Sequence, residues 1–351
     1  MNRNRSTLKS RRSTFLLPIC LLVAAHATQL ALATPARDDQ AAAPPQPTPQ
    51  IFAPGVISGP ANDGSPTFSP DGNTLYFTRS TANWTVILQS NKVYGQWTKP
   101  VLASFSGEWP DSSPAMSPDG TFIVFQSTRP ATPTTVKPVE GQPIPGVVSN
   151  LWRVDRVGSG WSQPVRLPNA VNLGHSIWKP SIAASGNLYF TVIDKTGQKR
   201  LYSSEFESGA YQPAQPLSFS DGTTADVDPE IAPDESFLVF SSSARLQGDP
   251  KDHLFIVAKQ GAEWGPVLPI RYAGDDRYGY STDDEPRLGQ SQSNIYFSSD
   301  RAVPVHFPRA HEQAEKDLDR LETWDNSNSN VWYLPVEPYL DAAKAASKGK
   351  S

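Results

Sequence analysis

Apolar and polar positions alternate in short runs along most of the chain, and Pro, Asp, Gly and Ser punctuate the runs every few residues. A period of two with turn residues between predicts strands and hairpins rather than helices. Five segments share one order of residues. Pro66-Thr67-Phe68-Ser69-Pro70-Asp71-Gly72 precedes Thr74-Leu75-Tyr76-Phe77, and Pro114-Ala115-Met116-Ser117-Pro118-Asp119-Gly120 precedes Phe122-Ile123-Val124-Phe125. Looser copies open at Pro180, Pro229 and Pro286, ahead of Leu188-Tyr189-Phe190, Phe237-Leu238-Val239-Phe240 and Ile295-Tyr296-Phe297. Pro presets φ, Asp bonds the local backbone and Gly accepts positive φ, so each copy reads as a hairpin.

A third β-rich run follows in every copy, at residues 84–88, 151–154, 201–202, 254–257 and 331–334. A fourth opens on an aromatic shortly before a proline: Trp97 and Pro100, Trp161 and Pro164, Tyr211 and Pro213, Trp264 and Pro266. Four strands per repeat are the pattern of a propeller blade, and proline suits an outer edge strand because it cannot donate to a ladder. The expected fold is an all-β, five-bladed β-propeller of four-stranded antiparallel blades over residues 51–335. The fifth copy lacks its fourth run. Phe52-Ala53-Pro54 followed by Val56-Ile57 matches Trp264-Gly265-Pro266 followed by Val267-Leu268. The N-terminal strand is therefore expected to complete the last blade beside residues 331–334, which leaves no open sheet edge.

The Ser-Pro-Asp-Gly centres at 69–72 and 117–120 resemble the WD40-like propeller repeats of the periplasmic TolB-like family, and more closely its exported members built only of such repeats. The resemblance covers roughly residues 51–335 and implies the fold. It brings no catalytic motif.

Composition changes the picture at the two ends. Arg3, Arg5, Lys9, Arg11 and Arg12, an apolar run over residues 15–25 and the small residues Ala31 and Ala33 have the layout of a secretory signal peptide over residues 1–33. A Pro/Ala/Gln-rich tether over 34–50 and a short tail over 336–351 flank the ring. The apolar run is too short for a membrane span, so none is expected in the mature chain. Loss of the signal leaves 26 basic against 35 acidic residues, a charge of about −9, with no electrostatic footprint for nucleic acid. It also takes the single cysteine, Cys20. The expected location is the periplasm or the exterior, and no cofactor motif is present.

In a blade of this order, first-to-second and third-to-fourth turns share one rim. Fourth-to-first and second-to-third loops share the other, which carries every long insertion: 128–149, 169–179, 245–252, 272–285 and 302–329. Elaborated loops on a rigid scaffold are where binding sites form, so this rim is the expected binding face for an envelope protein or a glycan. In the last insertion Ala310, Ala314, Leu318, Leu321 and Trp324 predict one helical face, with Glu312 and Lys316 paired beside it, shielding the mouth or acting as its lid.

Asp63, Asp111, Asp226 and Asp283 stand three residues before blade-opening prolines, with Ile177 the exception. Arg79, Arg129, Arg245 and Arg301 recur after the second strand. Four acids at a channel mouth would attract a cation. Recurrence by blade instead points to a structural task, with these arginines bracing adjoining blades against the acids. Residues that break the repeat are the candidate ligand site: His175, Trp178 and Lys179 in blade three, Asp228 and Glu230 in blade four, and Asp284, Glu285 and Arg287 in blade five. Trp178 among carboxylates and amides suits a sugar, through stacking and hydrogen bonds. The alternative is a carbohydrate-active enzyme, a glycoside hydrolase using Asp228 and Glu285 as its carboxylate pair or a lyase. His175, His253, His306 and His311 have no metal-site spacing, so no metal is expected.

Overall fold

The computed structural model describes residues 46–130, 148–173, 176–246, 249–273 and 281–348. The signal peptide, most of the tether, His175, the greater part of the 128–149 insertion and half of the 272–285 insertion lie outside these. The chain forms a five-bladed β-propeller. Blade one runs Asn62–Phe68, Thr74–Ser80 and Thr85–Val93, with two short outer strands, Gln96–Trp97 and Val101–Leu102. Blades two to four repeat this order from Asp111, Ser176 and Asp226. Blade five consists of Asp283–Leu288, Asn294–Ser299, Asn330–Pro335 and, from the other end of the chain, Gln50–Ile51.

The turns follow their residues. In blade one the Ser69 hydroxyl donates to Asp71 Oδ1 at 2.6 Å and accepts from the Thr74 N–H at 2.9 Å, while Gly72 takes φ +68°. Ser117, Asp119 and Gly120 repeat the arrangement in blade two. The left-handed backbone persists at Glu235 (φ +59°) and Gln292 (φ +54°), where the glycine is absent. The hairpin geometry thus outlasts the motif.

The second strands are not half-exposed alternators. Phe237–Ser242 is buried at all six positions, because each sheet is covered on both faces by neighbouring blades. The core therefore lies in five seams between blades, not inside any one of them. Tyr76, Phe105, Phe125 and Trp152 fill the first seam. Leu151, Ile177 and Phe190 fill the second, Phe240 and Phe255 the third, and Ile256, Phe297 and Trp332 the fourth. The closing seam between blades five and one is the thinnest. Its fully buried set is Ile57, Leu75, Phe77 and Val331, packed round by half-buried Phe52, Phe68, Trp97 and Tyr296.

The ring closes through the N-terminal strand, but six residues out of the expected register. Gln50 pairs with Tyr333 and Ile51 with Trp332, and the Phe52 N–H donates to Val331 O at 2.8 Å. Phe52 thus occupies the position held by Ala103, Leu167, Leu217 and Ile270, each of which donates to its own third strand. It is not the counterpart of Trp264, and residues 52–57 turn back on themselves, with Ile57 N–H donating to Ala53 O at 2.9 Å. The reason is connectivity. Trp97, Trp161 and Trp264 sit in hairpins that continue directly from the third strand, which a segment arriving from the other terminus cannot form.

The outer aromatic missing from blade five is replaced from the C-terminus. Helix α2, Glu337–Lys348, buries Tyr339 and Ala343 in the seam between blades four and five, and the Tyr339 hydroxyl donates to Arg271 O at 2.8 Å. The segment read as a tail is thus helical and packed. Insertion 302–329 also carries a helix, α1 (His311–Leu318), followed by a 3-10 turn, Asp319–Glu322. The expected Lys316–Glu312 pair forms at 2.9 Å. The expected apolar face does not shield the mouth, for neither helical piece has a buried residue. Only Trp324 packs inward, edge-on to Trp332 at 5.5 Å. No described helix is long and apolar enough to cross a membrane.

Phe52 meets Phe68, Trp97, Tyr296 and Tyr333 with ring centroids 5.2–6.3 Å apart. Truncating it to alanine removes the aromatic plug of the thinnest seam. Phe52→Ala is expected to lower stability by about 3 kcal/mol in urea unfolding, more than the same change at the exposed Phe307.

Candidate functional site

Each first strand breaks register once, immediately before its proline: between Gly64 and Thr67, Ser112 and Ala115, Trp178 and Ser181, Val227 and Glu230, and Asp284 and Arg287. The residue just before the proline is left-handed in all five blades. Ser65, Ser113, Lys179, Asp228 and Glu285 have φ of +47°, +54°, +51°, +57° and +53°. A non-glycine residue held there stores about 1 kcal/mol, and the bulge aims its side chain at the ring axis. Three of the predicted ligand residues therefore share one structural position, and the structure brings them together.

The bulges of blades two, four and five are bonded to the preceding blade. Thr78 Oγ1 accepts the Ser113 N–H at 2.8 Å, Thr191 Oγ1 the Asp228 N–H at 2.9 Å, and Asp228 Oδ2 the Glu285 N–H at 3.2 Å. One layer nearer the Pro-Asp-Gly rim, Thr67, Ser181 and Glu230 accept the N–H groups of Met116, Ile231 and Leu288 at 2.9–3.0 Å. Each such bond contributes about 1 kcal/mol, and together they set the angular spacing of the blades.

At the axis Lys179 pairs with Glu285 and lies 3.5 Å from Ser65 Oγ, which ties blade three to blades five and one. Glu285 Oε2 also accepts from the Ser298 hydroxyl at 2.8 Å. Arg287 is 2% exposed and reaches Glu230 at 3.3 Å, with its Nε and Nη2 unpartnered among the described residues. Burial sets the protonation of the cluster. It pushes the Lys179 ammonium down, against the pull of the Asp228 and Asp284 carboxylates. It pushes Asp228 up, opposed by Lys179 and Arg287, and Glu230 up, opposed by Arg287. Asp284 stands well above the ordinary carboxylate range, through burial first and then repulsion from Asp228. Trp178 lies on the same strand as Lys179, toward the elaborated rim, with the Lys199 ammonium 5.8 Å from its ring centre.

The recurring acids and arginines meet differently from expectation. Asp63, Asp111, Asp226 and Asp283 are buried rather than lining a mouth. Each pairs with the arginine of its own blade at 2.6–2.8 Å: Arg79, Arg129, Arg245 and Arg301 respectively. The link to the adjoining blade is made by the same guanidinium bonding a backbone carbonyl of the incoming connection: Ile57 O, Phe105 O and Phe219 O for the first three. Every guanidinium also stacks near the aromatic of its second strand at 5.2–5.5 Å. These acids already hold their counter-ions. Blade three does without the pair, placing Ile177 against Val192 in an apolar seam.

The Pro-Asp-Gly rim opens on an axial cavity of about 270 Å³ lined from all five blades, including Phe68, Met116, Ile182, Glu230 and Gln290. This concavity on the plain rim, and the contributions of Lys199 and Asp252 to the charge cluster, escaped sequence reading. The usable signal was the residue before each blade-opening proline. Among the described residues no group of His, Cys, Asp and Glu could hold a metal ion.

Fold and axis together define a five-bladed propeller with a buried charge cluster at its centre. No family model and no curated protein matches the chain. Among solved structures it is similar to a putative TolB from Agrobacterium tumefaciens, with TM-score 0.44 and 16% identity over 72% of this chain and 74% of that one. TolB from Acinetobacter baumannii gives TM-score 0.45 and 14% identity over 78% of this chain and 54% of that one, so the chain spans about half its length. A thermostable family-43 glycoside hydrolase gives TM-score 0.46 and 11% identity over 71% and 86%. At these levels the similarities bear on neither activity nor partner.

A Cβ on Gly64 would fall onto the Glu285 carboxylate and the Ser298 hydroxyl. Gly64→Ala is expected to lower stability by about 2 kcal/mol in urea unfolding. Asp284 holds its proton to higher pH folded than unfolded. The folded state therefore binds more protons across the window between the ordinary and the raised value, and stability falls as pH rises through it. Asp284→Asn is expected to raise stability at neutral pH and to flatten that slope in unfolding titrations at pH 5 and pH 7.5.

Proposed function

We propose that the chain is an exported, non-catalytic propeller that binds an envelope protein or glycan through the rim of fourth-to-first and second-to-third loops. One observation carries the reading. The carboxylates that would perform hydrolysis, Asp228 and Glu285, are turned toward each other's blades and engaged there. Asp228 accepts the Glu285 backbone N–H, and Glu285 is held by Lys179 and Ser298. A glycosidase needs one protonated acid and one free carboxylate across a gap of roughly 5–9.5 Å that admits sugar and water. A pair so engaged, one carboxylate with an ammonium and the other with a backbone N–H, serves blade cohesion instead. Trp178, with the Lys199 ammonium near its ring, remains at the elaborated end to meet a ligand.

The test is retention and turnover on envelope polysaccharides and envelope proteins, using the exported form of the full chain. Binding without turnover is expected, weakened about tenfold, or about 1.4 kcal/mol, by Trp178→Ala. Release of reducing ends that Asp228→Asn or Glu285→Gln abolishes would replace this reading with the carbohydrate-active enzyme.

A further inference from the structure

Insertion 302–329 leaves the second strand of blade five on the elaborated rim and holds apolar side chains out in solvent. Among the described residues, five of the thirteen exposed large hydrophobic side chains stand within nineteen residues of it: Val303 52%, Val305 41%, Phe307 77%, Leu318 63% and Leu321 61% exposed. A sequence that builds an amphipathic helical face ordinarily buries that face; here it remains open. The insertion is nonetheless held in one shape. The Val303 N–H donates to Asp325 Oδ1 at 2.7 Å, Arg320 pairs with Asp325 at 2.7 Å, and Arg309 pairs with Asp317. Trp324 anchors the whole against Trp332. At its root lies a groove of about 420 Å³ lined by Val303, Pro304, Val305 and Arg320. That is room for one or two apolar side chains.

Charge selects the occupant. The insertion carries six acids (Glu312, Glu315, Asp317, Asp319, Glu322, Asp325) against three fixed cations (Arg309, Lys316, Arg320). All three cations are satisfied internally, by Asp317, Glu312 and Asp325. Asp319 and Glu322 have no cationic partner among the described residues and border Leu318 and Leu321 in sequence. An apolar patch with an acidic border matches a segment that presents apolar anchors flanked by Lys or Arg. The same border repels an anionic lipid surface.

We propose that the blade-five insertion is a docking surface for a protein partner that inserts an apolar segment with basic flanks. This rests on the binding reading of the elaborated rim and narrows its partner to protein. The measurement is fluorescence anisotropy of the full exported chain with two labelled amphipathic peptides of equal length and apolar content, one Leu/Lys and one Leu/Glu. The Leu/Lys peptide is expected to bind at least tenfold more tightly. The Phe307→Ser, Leu321→Ser double variant abolishes that preference with an unchanged melting temperature, since both side chains are exposed. The Asp319→Lys, Glu322→Lys double variant reverses the preference. Equal binding of both peptides, or Leu/Lys binding that the serine variant leaves intact, overturns the proposal. A concentration-dependent dimer in sedimentation that the serine variant dissolves overturns it in favour of a second copy, and flotation with phosphatidylcholine vesicles overturns it in favour of lipid. Glycan retention that Trp178→Ala removes and the serine variant leaves alone would sink the docking surface while sparing the broader binding reading.

Discussion

The ring is held shut where the two ends of the chain pair. Gln50 against Tyr333 and Ile51 against Trp332 join the ends of the chain, and every other seam depends on that junction. Each blade buries both faces, so no blade has a core of its own. An open ring would expose the faces of blades one and five at once, together with the ladder edge of Asn330–Pro335. The junction is also where the packing is thinnest. Four fully buried side chains occupy the closing seam, and Phe52 and its aromatic neighbours supply the rest. Blade five is assembled from both termini, with Gln50–Ile51 as its outer strand and α2 in place of its outer aromatic. The ring is therefore complete only when the whole polypeptide has folded, which binds its stability to cooperative closure rather than to independent repeats.

Closure brings five inner strands close enough for side chains from non-adjacent blades to meet. Lys179 of blade three reaches Glu285 of blade five, a contact that requires a narrow axis. Burying such a group without a partner is prohibitive, and removing one member of a buried pair typically costs about 3–5 kcal/mol. The charges at the axis thus demand one another, and with them one specific arrangement of blades. The Asp–Arg pairs at the blade entrances do similar service further out, where each arginine clamps the incoming connection. Blade three, with Ile177 instead, shows that an apolar contact can fill the same place.

The two rims differ because the two kinds of loop answer to different constraints. Pro-Asp-Gly turns must reverse the chain within the four residues between Ser69 and Thr74, or Ser117 and Phe122, and their hydroxyl–carboxylate bonds leave little freedom. Loops at the opposite rim span between strands that are already fixed and can lengthen without disturbing a ladder. The insertion of blade five uses that freedom to hold a helical element away from the core, pinned by ion pairs and one tryptophan. Its open apolar face and the charge-lined axis are separate features of one rim.

The primary structure determined the blade count, the four-strand order, the hairpin turns and the need for a strand from the N-terminus, because all of these follow from local periodicity and turn chemistry. It also singled out Lys179, Asp228 and Glu285 as departures from the repeat. It did not determine the register of closure. The likeness of Phe52-Ala53-Pro54 to Trp264-Gly265-Pro266 is local, whereas pairing is decided by which backbone groups of residues 331–334 remain free once blade five is built. Nor did it reveal that the recurring acids are buried, that α2 packs, or that the departures share one left-handed bulge and converge. Those outcomes are set by distances between residues far apart in the chain, and such distances exist only when the ring is closed.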